Sequence, residues 1–194
     1  MAITIEQIKE LRDKTGISIM QCRKALEEAG GDIEKAIIIL QKRSAAAAEK
    51  KNDRTLGAGI IAAYIHAGGG VGSLVELSSE TDFVSKTKDF GALAYDIAMH
   101  VAASNPTFLS YADIPKDEIS QAKEVFMKEV KGKPESMKEK ILEGKLKSYF
   151  SERTLLDQLF IKETDRTVGD LIKQAVQKFG ERIEIRRFAR FSTK

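Results

Sequence analysis

Two alternating runs constrain this chain more tightly than anything else in it. GIIAAYIHA (Gly59 to Ala67) and VGSLVELSSE (Val71 to Glu80) flank Gly68, Gly69 and Gly70. Apolar residues at every second position, joined by a short glycine turn, pair as an antiparallel hairpin. Val71, Val75 and Leu77 share one face and Glu76 and Ser78 the other, so one side of the hairpin is expected to be wet. The spacing then lengthens to about 3.6, and Phe90, Leu93, Ile97 and Val101 line a helix running from near Thr81 to just before Asn105-Pro106. Two more helical runs follow, Lys116 to Val130 and Pro134 to Ser151, separated by a KGK turn. Thr167 caps VGDLIKQAVQKF, which stops at Gly180, and RIEIRRFARF supplies a third strand through Ile183 and Ile185. The fold class is α+β: a small antiparallel sheet packed with helices.

Ahead of the hairpin the chain is punctuated into three short helices. Thr4 with Gln7 and Ser18 with Gln21 have the spacing of capping boxes, and Asp32 is a good N-cap for the third helix. Gly16 and the Gly30-Gly31 pair are stops. Ile5, Ile8 and Leu11, then Met20, Cys22, Ala25 and Leu26, then Ile33, Ala36, Ile37 and Leu40 give each helix a buried side. A miniature bundle of this size has modest stability. The stretch SAAAAEKKNDR favours helix but lacks an apolar face, which predicts a solvated, partly helical tether. The expected organisation is a three-helix unit over 1–43, a linker over 44–56 and an α+β core over 57–194.

Catalytic chemistry finds no foothold. The glycines of Gly68 to Gly72 lead into a strand, and no lysine follows them to enter a helix, so a hairpin turn explains them better than a phosphate loop. His66, His100 and the single Cys22 stand far apart in the sequence, without ligand or nucleophile spacing. No metal, no cofactor and no enzymatic activity are expected. One cysteine excludes an intrachain disulfide and suits a reducing compartment. No run approaches the roughly 20 apolar residues of a membrane span, and the N-terminus lacks the apolar core of a secretory signal, so the expected location is cytoplasmic. With 32 basic and 29 acidic residues the charge is mixed, which disfavours non-specific nucleic-acid binding. Arg182, Arg186, Arg187 and Arg190 with Phe188 and Phe191 form the one basic and aromatic cluster. On a regular strand Arg182, Arg186, Phe188 and Arg190 would share a face, which leaves an RNA-binding or ribosome-associated module as the alternative. Protection of a sheet edge by charge explains the same arginines.

Several blocks carry a family resemblance. IKELRDKTGISIMQCRKALEEAGGDIEKA (Ile8 to Ala36), IHAGGGVGSLVELSSETDFV (Ile65 to Val84), IAMHVAASNP (Ile97 to Pro106), LKSYFSERTLLDQLFIKE (Leu146 to Glu163), TVGDLIK (Thr167 to Lys173) and the closing IEIRRFARF resemble, in order, bacterial translation elongation factor Ts. The length is that of a short form with one core module. The resemblance implies a guanine-nucleotide exchange factor acting on elongation factor Tu. It implies that the N-terminal helices, similar to a ubiquitin-associated domain, dock on that GTPase through Leu11, Arg12, Thr15, Gly16, Ile19, Met20 and Cys22. It further implies that Thr81, Asp82, Phe83 and Val84 disturb the partner's magnesium site, and that the core, with His66, Gly68 and Gly69, holds a second surface. A single core module suggests a homodimer, with no membrane partner and no direct nucleic-acid contact.

Phe83 is the open question. It lies seven residues before Phe90 on the same helical stripe, which suits a core residue opening a helix. Lys86 and Thr87 interrupt that stripe, however, and with Thr81 as N-cap both Asp82 and Phe83 fall in the first turn, where a side chain can leave the fold. An acidic residue in a first turn is also favoured by the helix dipole. The resemblance tips the expectation toward Phe83 and Asp82 being presented to a partner.

Overall fold

The computed structural model describes residues 3–130 and 134–194. The KGK turn expected between two helices lies outside the described residues. In chain order the elements are α1 (Ile5–Thr15), α2 (Ile19–Glu28), α3 (Ile33–Glu49), β1 (Ala58–Ile65), β2 (Val71–Ser79), α4 (Asp82–Ser85) and α5 (Lys88–Ser104). After a 3-10 turn at Tyr111–Asp113 come α6 (Lys116–Glu129), α7 (Glu135–Ser151), β3 (Leu159–Phe160), β4 (Glu163–Thr167), α8 (Val168–Phe179) and β5 (Ile183–Ser192).

Helices α1 to α3 close on Leu11, Ile17, Cys22, Ala25, Leu26, Ala36 and Leu40. Thr4 and Gln7 form the expected capping box, and Gly16 ends α1 with φ of 65°. The second box is only half made. The Ser18 hydroxyl accepts from the Gln21 N–H, while the Gln21 side chain accepts from Gln177 Nε2 at 2.7 Å, on the far side of a helix interface.

That interface corrects the expected tether. The stretch from Ser44 to Glu49 continues α3 and is docked along one side, with Ala45, Ala46 and Glu49 exposed. Ser44 is buried and its hydroxyl bonds to the Gln177 side chain, while Ala48 packs against the main core. Gln174 Nε2 donates to the Thr15 carbonyl, so α8 also grips the end of α1. Alanines carry too little side chain to make an apolar stripe, but the same smallness lets α3 and α8 approach closely. The bundle therefore sits on the core, not on a leash.

The main sheet has the order β1-β2-β5, antiparallel throughout. Val75, Leu77, Ile183 and Ile185 on its inner face meet Phe90, Ala94, Ile97 and Val101 of α5 and Ala175 and Val176 of α8. The small pair β3-β4 had no counterpart in the sequence pattern. Buried His100 sits among these elements as a neutral ring. Its Nδ1 accepts from the Ile161 N–H at 3.3 Å, which leaves the proton on Nε2, 2.9 Å from Gln158 Oε1. Burial lowers its pKa, partly offset by the Gln158 contact.

Three further details depart from the pattern. The expected helix from Thr81 breaks at Lys86, because the Thr87 side chain accepts from the Phe90 N–H and starts α5 afresh. The outer sheet face is exposed as expected but carries apolar side chains beside Glu76 and Arg187: Ile61, Ile65 and Phe191 are 66%, 68% and 69% exposed, with Leu74 between them at 44%. Finally, β5 bulges. Glu76 pairs with Arg187 but Leu77 with Ile185, so Arg186 is an extra residue and the alternation flips there. Arg182 and Arg186 consequently do not share a face with Phe188 and Arg190.

Candidate partner interface

β2 leaves the sheet at Ser79, whose hydroxyl donates to the Thr81 carbonyl at 2.9 Å. Thr81 occupies the N-cap position of α4 but does not cap it with its side chain. The hydroxyl instead donates to Glu181 Oε1 at 2.6 Å, and the Thr81 N–H donates to Glu181 Oε2 at 3.0 Å. Consecutive side chains on a helix diverge by about 100°, and here Val84 and Ser85 turn into the core while Phe83 turns out. Phe83 is 83% exposed, more than any other large apolar side chain among the described residues. The break after Ser85 is the cause: without a continuous helix, Phe83 does not join the Phe90 stripe. A core residue is excluded for Phe83, whereas Val84, expected in the same motif, is a core residue.

Asp82 is exposed beside Phe83. Lys86 Nζ lies 2.6 Å from Asp82 Oδ2, and the hydrogen bond from that ammonium holds the carboxyl below its ordinary pKa. An exposed i,i+4 pair adds little stability, so Asp82 is free to exchange Lys86 for another cation.

The residues expected to dock from the small bundle divide into two groups. Leu11 and Cys22 are fully buried and Thr15 nearly so. The Thr15 hydroxyl donates to the Leu11 carbonyl at 2.6 Å, Cys22 Sγ donates to the Ile17 carbonyl at 3.5 Å, and burial raises the Cys22 pKa. These three shape the surface without reaching it. Arg12, Gly16, Ile19 and Met20 are exposed and form the accessible face around the α1–α2 turn.

His66 is exposed, its Nδ1 3.1 Å from the Tyr64 hydroxyl, which in turn stands edge-on to Tyr95. Gly68 and Gly69 have φ of 88° and 71°, which only glycine adopts without strain, and the Gly69 N–H closes the turn on the His66 carbonyl at 2.9 Å. This turn and Phe83 lie at opposite ends of β2. A nine-residue strand separates them by about 30 Å. The exposed residues therefore gather at three places: the α1–α2 turn, the Phe83 projection and the glycine turn.

Among the described residues no group of three or more His, Cys, Asp or Glu could hold a metal ion, and no helix is long and apolar enough to cross a membrane. The arginines in and just before β5 make contacts within the chain, though the Arg186 and Arg187 side chains remain 52% and 80% exposed. Arg182 donates to the Arg54 carbonyl and to Glu184, Arg187 to Glu76 and Arg190 to the Ala102 carbonyl. Glu181, Gln174 and Gln177 escape any reading of the sequence, since each acts across more than ninety residues of chain. Only the position of Glu181, immediately after the Gly180 stop, hinted at a turn.

Residues 44–193 match the family model described as Elongation factor TS. Over 191 residues, 97% of this chain and 89% of the relative, the sequence is 49% identical to Elongation factor Ts of Syntrophomonas wolfei. It is 50% identical to the Elongation factor Ts of Thermodesulfovibrio yellowstonii, with 98% and 96% of the two chains covered. Elongation factor Ts of Thermosipho melanesiensis is 48% identical, with 98% of both chains covered.

Proposed function

The chain belongs to the elongation factor Ts family and has the role of a nucleotide exchange factor in translation elongation; from that premise we propose that it releases GDP from elongation factor Tu by presenting Phe83 to the partner's magnesium and phosphate site. The observation that carries this is the exposure of Phe83. A large apolar side chain held in water gains by burial when a partner covers it. Phe83 acts as a wedge: its burial between elements of the GTPase repacks them, and the groups that orient magnesium and phosphate move. Asp82, with a replaceable Lys86 partner, competes for cations at that site. No bond is made or broken, so no enzymatic chemistry and no cofactor are needed.

Because coupling between two ligands is reciprocal, GDP weakens binding of the factor as much as the factor weakens binding of GDP. A four-decade loss of nucleotide affinity takes about 5.5 kcal/mol of differential binding. One buried phenylalanine supplies about 1.5–3 kcal/mol, so other contacts must contribute. We assign these to the 1–43 unit, through Arg12, Gly16, Ile19 and Met20, and to the 57–194 core, through His66, Gly68 and Gly69. Docking of α3 on α8 holds the two units in register, so little ordering is left for the moment of binding. The setting is the cytoplasm, without membrane or nucleic-acid contacts. Stopped-flow release of a fluorescent GDP from elongation factor Tu tests the reading: acceleration by this chain is expected, and an unchanged rate contradicts it.

The apolar outer face of the sheet gives the core a second task. We propose that Ile61, Ile65, Leu74 and Phe191 meet the same face of a second copy in a homodimer, which restores a paired core. Leu74→Glu places a charge at the centre of this patch, at a side chain 44% exposed in the monomer. Sedimentation velocity is expected to show a dimer for the parent and a monomer for Leu74→Glu. A parent that sediments as a monomer at tens of micromolar, on the order of the affinity of a weak interface, removes the dimer from the proposal.

A further inference from the structure

The β2–β5 ladder ends with Ser79 opposite Ile183, but its pairing continues for two more residues by other means. The Glu80 carboxylate accepts from the Arg182 backbone N–H at 2.5 Å. One step on, the Glu181 carboxylate accepts from both the N–H and the hydroxyl of Thr81, at 3.0 and 2.6 Å. The couples 80 with 182 and 81 with 181 keep the register of Ser79 with Ile183. Two carboxylates thus stand in for backbone carbonyls and splice the root of α4 onto the end of the sheet. Arg54 steadies the inner splice, with Nη1 3.2 Å from Glu80 Oε1.

The outer splice is unusual. An N-cap threonine ordinarily turns its hydroxyl to the N–H groups of its own helix, and here the hydroxyl serves Glu181, in the bend between α8 and β5, instead. A helix of four residues has no appreciable stability of its own. The direction of Phe83 therefore depends on what holds the two ends of the turn. Burial of Val84 and Ser85 holds the far end. The exposed Asp82–Lys86 pair holds little. The near end rests on Ser79, whose hydroxyl donates to the Thr81 carbonyl at 2.9 Å, and on the two bonds to Glu181.

We infer that Glu181 is a positioning residue for nucleotide exchange: by clasping Thr81 with both carboxylate oxygens it aims Phe83 before the partner arrives. This rests on the assignment of Phe83 as the prong. Glu181 does not touch the partner in this scheme, and it acts on the rate through a side chain two residues beyond the one it holds. Loss of such preorganisation lowers the effectiveness of contacts that remain chemically intact.

The test compares the parent, Glu181→Ala, Phe83→Ala and the double variant in GDP release from elongation factor Tu, across a range of factor concentrations. Amide hydrogen exchange of the free proteins is followed in parallel. In Glu181→Ala, exchange at Thr81 to Val84 is expected to quicken while the melting temperature holds. The maximal release rate should fall about tenfold, with the half-saturating concentration shifted less than about twofold, because the docking faces lie elsewhere. In the Phe83→Ala background the second change should cost nothing further. Should Glu181→Ala prove unstable, Glu181→Gln, which keeps the shape and one acceptor oxygen, carries the same comparison. Parental release by Glu181→Ala beside slow release by Phe83→Ala overturns the inference and leaves the prong standing. An undiminished extra loss in the double variant also overturns it, since Glu181 would then act elsewhere. Parental release by Phe83→Ala instead removes the prong itself.

Discussion

Phe83→Ala is expected to leave the fold intact and slow factor-driven GDP release about 10- to 100-fold, the equivalent of about 1.5–3 kcal/mol of apolar burial. The two halves of this expectation come from the same number. At 83% exposure the side chain has almost nothing to lose on truncation within the free protein, and surface changes of that kind shift stability by less than about 0.5 kcal/mol. All of its apolar surface is available for burial in the complex. The loss should fall mainly on the maximal release rate, because the other two surfaces still bring the partners together. Stopped-flow release and a thermal melt of the same preparation separate the outcomes. A large drop in melting temperature would return Phe83 to the core, against its placement on α4. Parental release from a well-folded variant would mean that its exposure serves something else.

Leu11→Ala should act from within the three-helix unit and by the opposite route. Leu11 is fully buried among Ile17, Cys22, Ala25, Leu26, Ala36 and Leu40. Truncation of such a residue costs about 2–5 kcal/mol. A three-helix unit of this size has about that much stability to lose, even with α8 supporting it. The unit is expected to unfold while the 57–194 core persists, seen as loss of helical circular dichroism without loss of the main melting transition. The factor concentration for half-maximal exchange should then rise by at least about tenfold, with the maximal rate less affected. That pattern distinguishes a residue that shapes a docking face from one that touches the partner. A variant that keeps its helices yet fails to dock would place Leu11 at the interface, contrary to its burial.

The parts of the fold that could be read from the residues are those with local signals. Alternation around Gly68 to Gly70 yields the β1–β2 hairpin, and Thr4, Asp32 and Thr167 mark helix starts that the structure has at the same positions. What stayed hidden is non-local or chemically quiet. Ala45 to Ala48 give no hydropathy signal, though Ala48 packs against the main core. Thr87 reads as a break in an apolar stripe, when it is the cap that separates α4 from α5 and so sets Phe83 apart from Phe90. The bulge at Arg186 has no glycine to announce it, and it redistributes the β5 arginines between faces. In the candidate interface, Phe83, Arg12, Ile19 and Met20 are exposed. Leu11, Thr15, Cys22 and Val84 turned inward, because a motif in sequence mixes residues that make a surface with residues that support it. Glu181 was beyond reach, since strand register alone brings it to Thr81.

The most direct test of the exchange mechanism is a pair of dissociation constants, measured by calorimetry, for this chain with nucleotide-free and with GDP-loaded elongation factor Tu. A partner wedged open by Phe83 must be bound more tightly when empty, by the same factor by which the chain weakens GDP. Affinities differing by several decades are expected for the parent, with the gap narrowed in Phe83→Ala. Equal affinity for the empty and the GDP-loaded partner would contradict the mechanism.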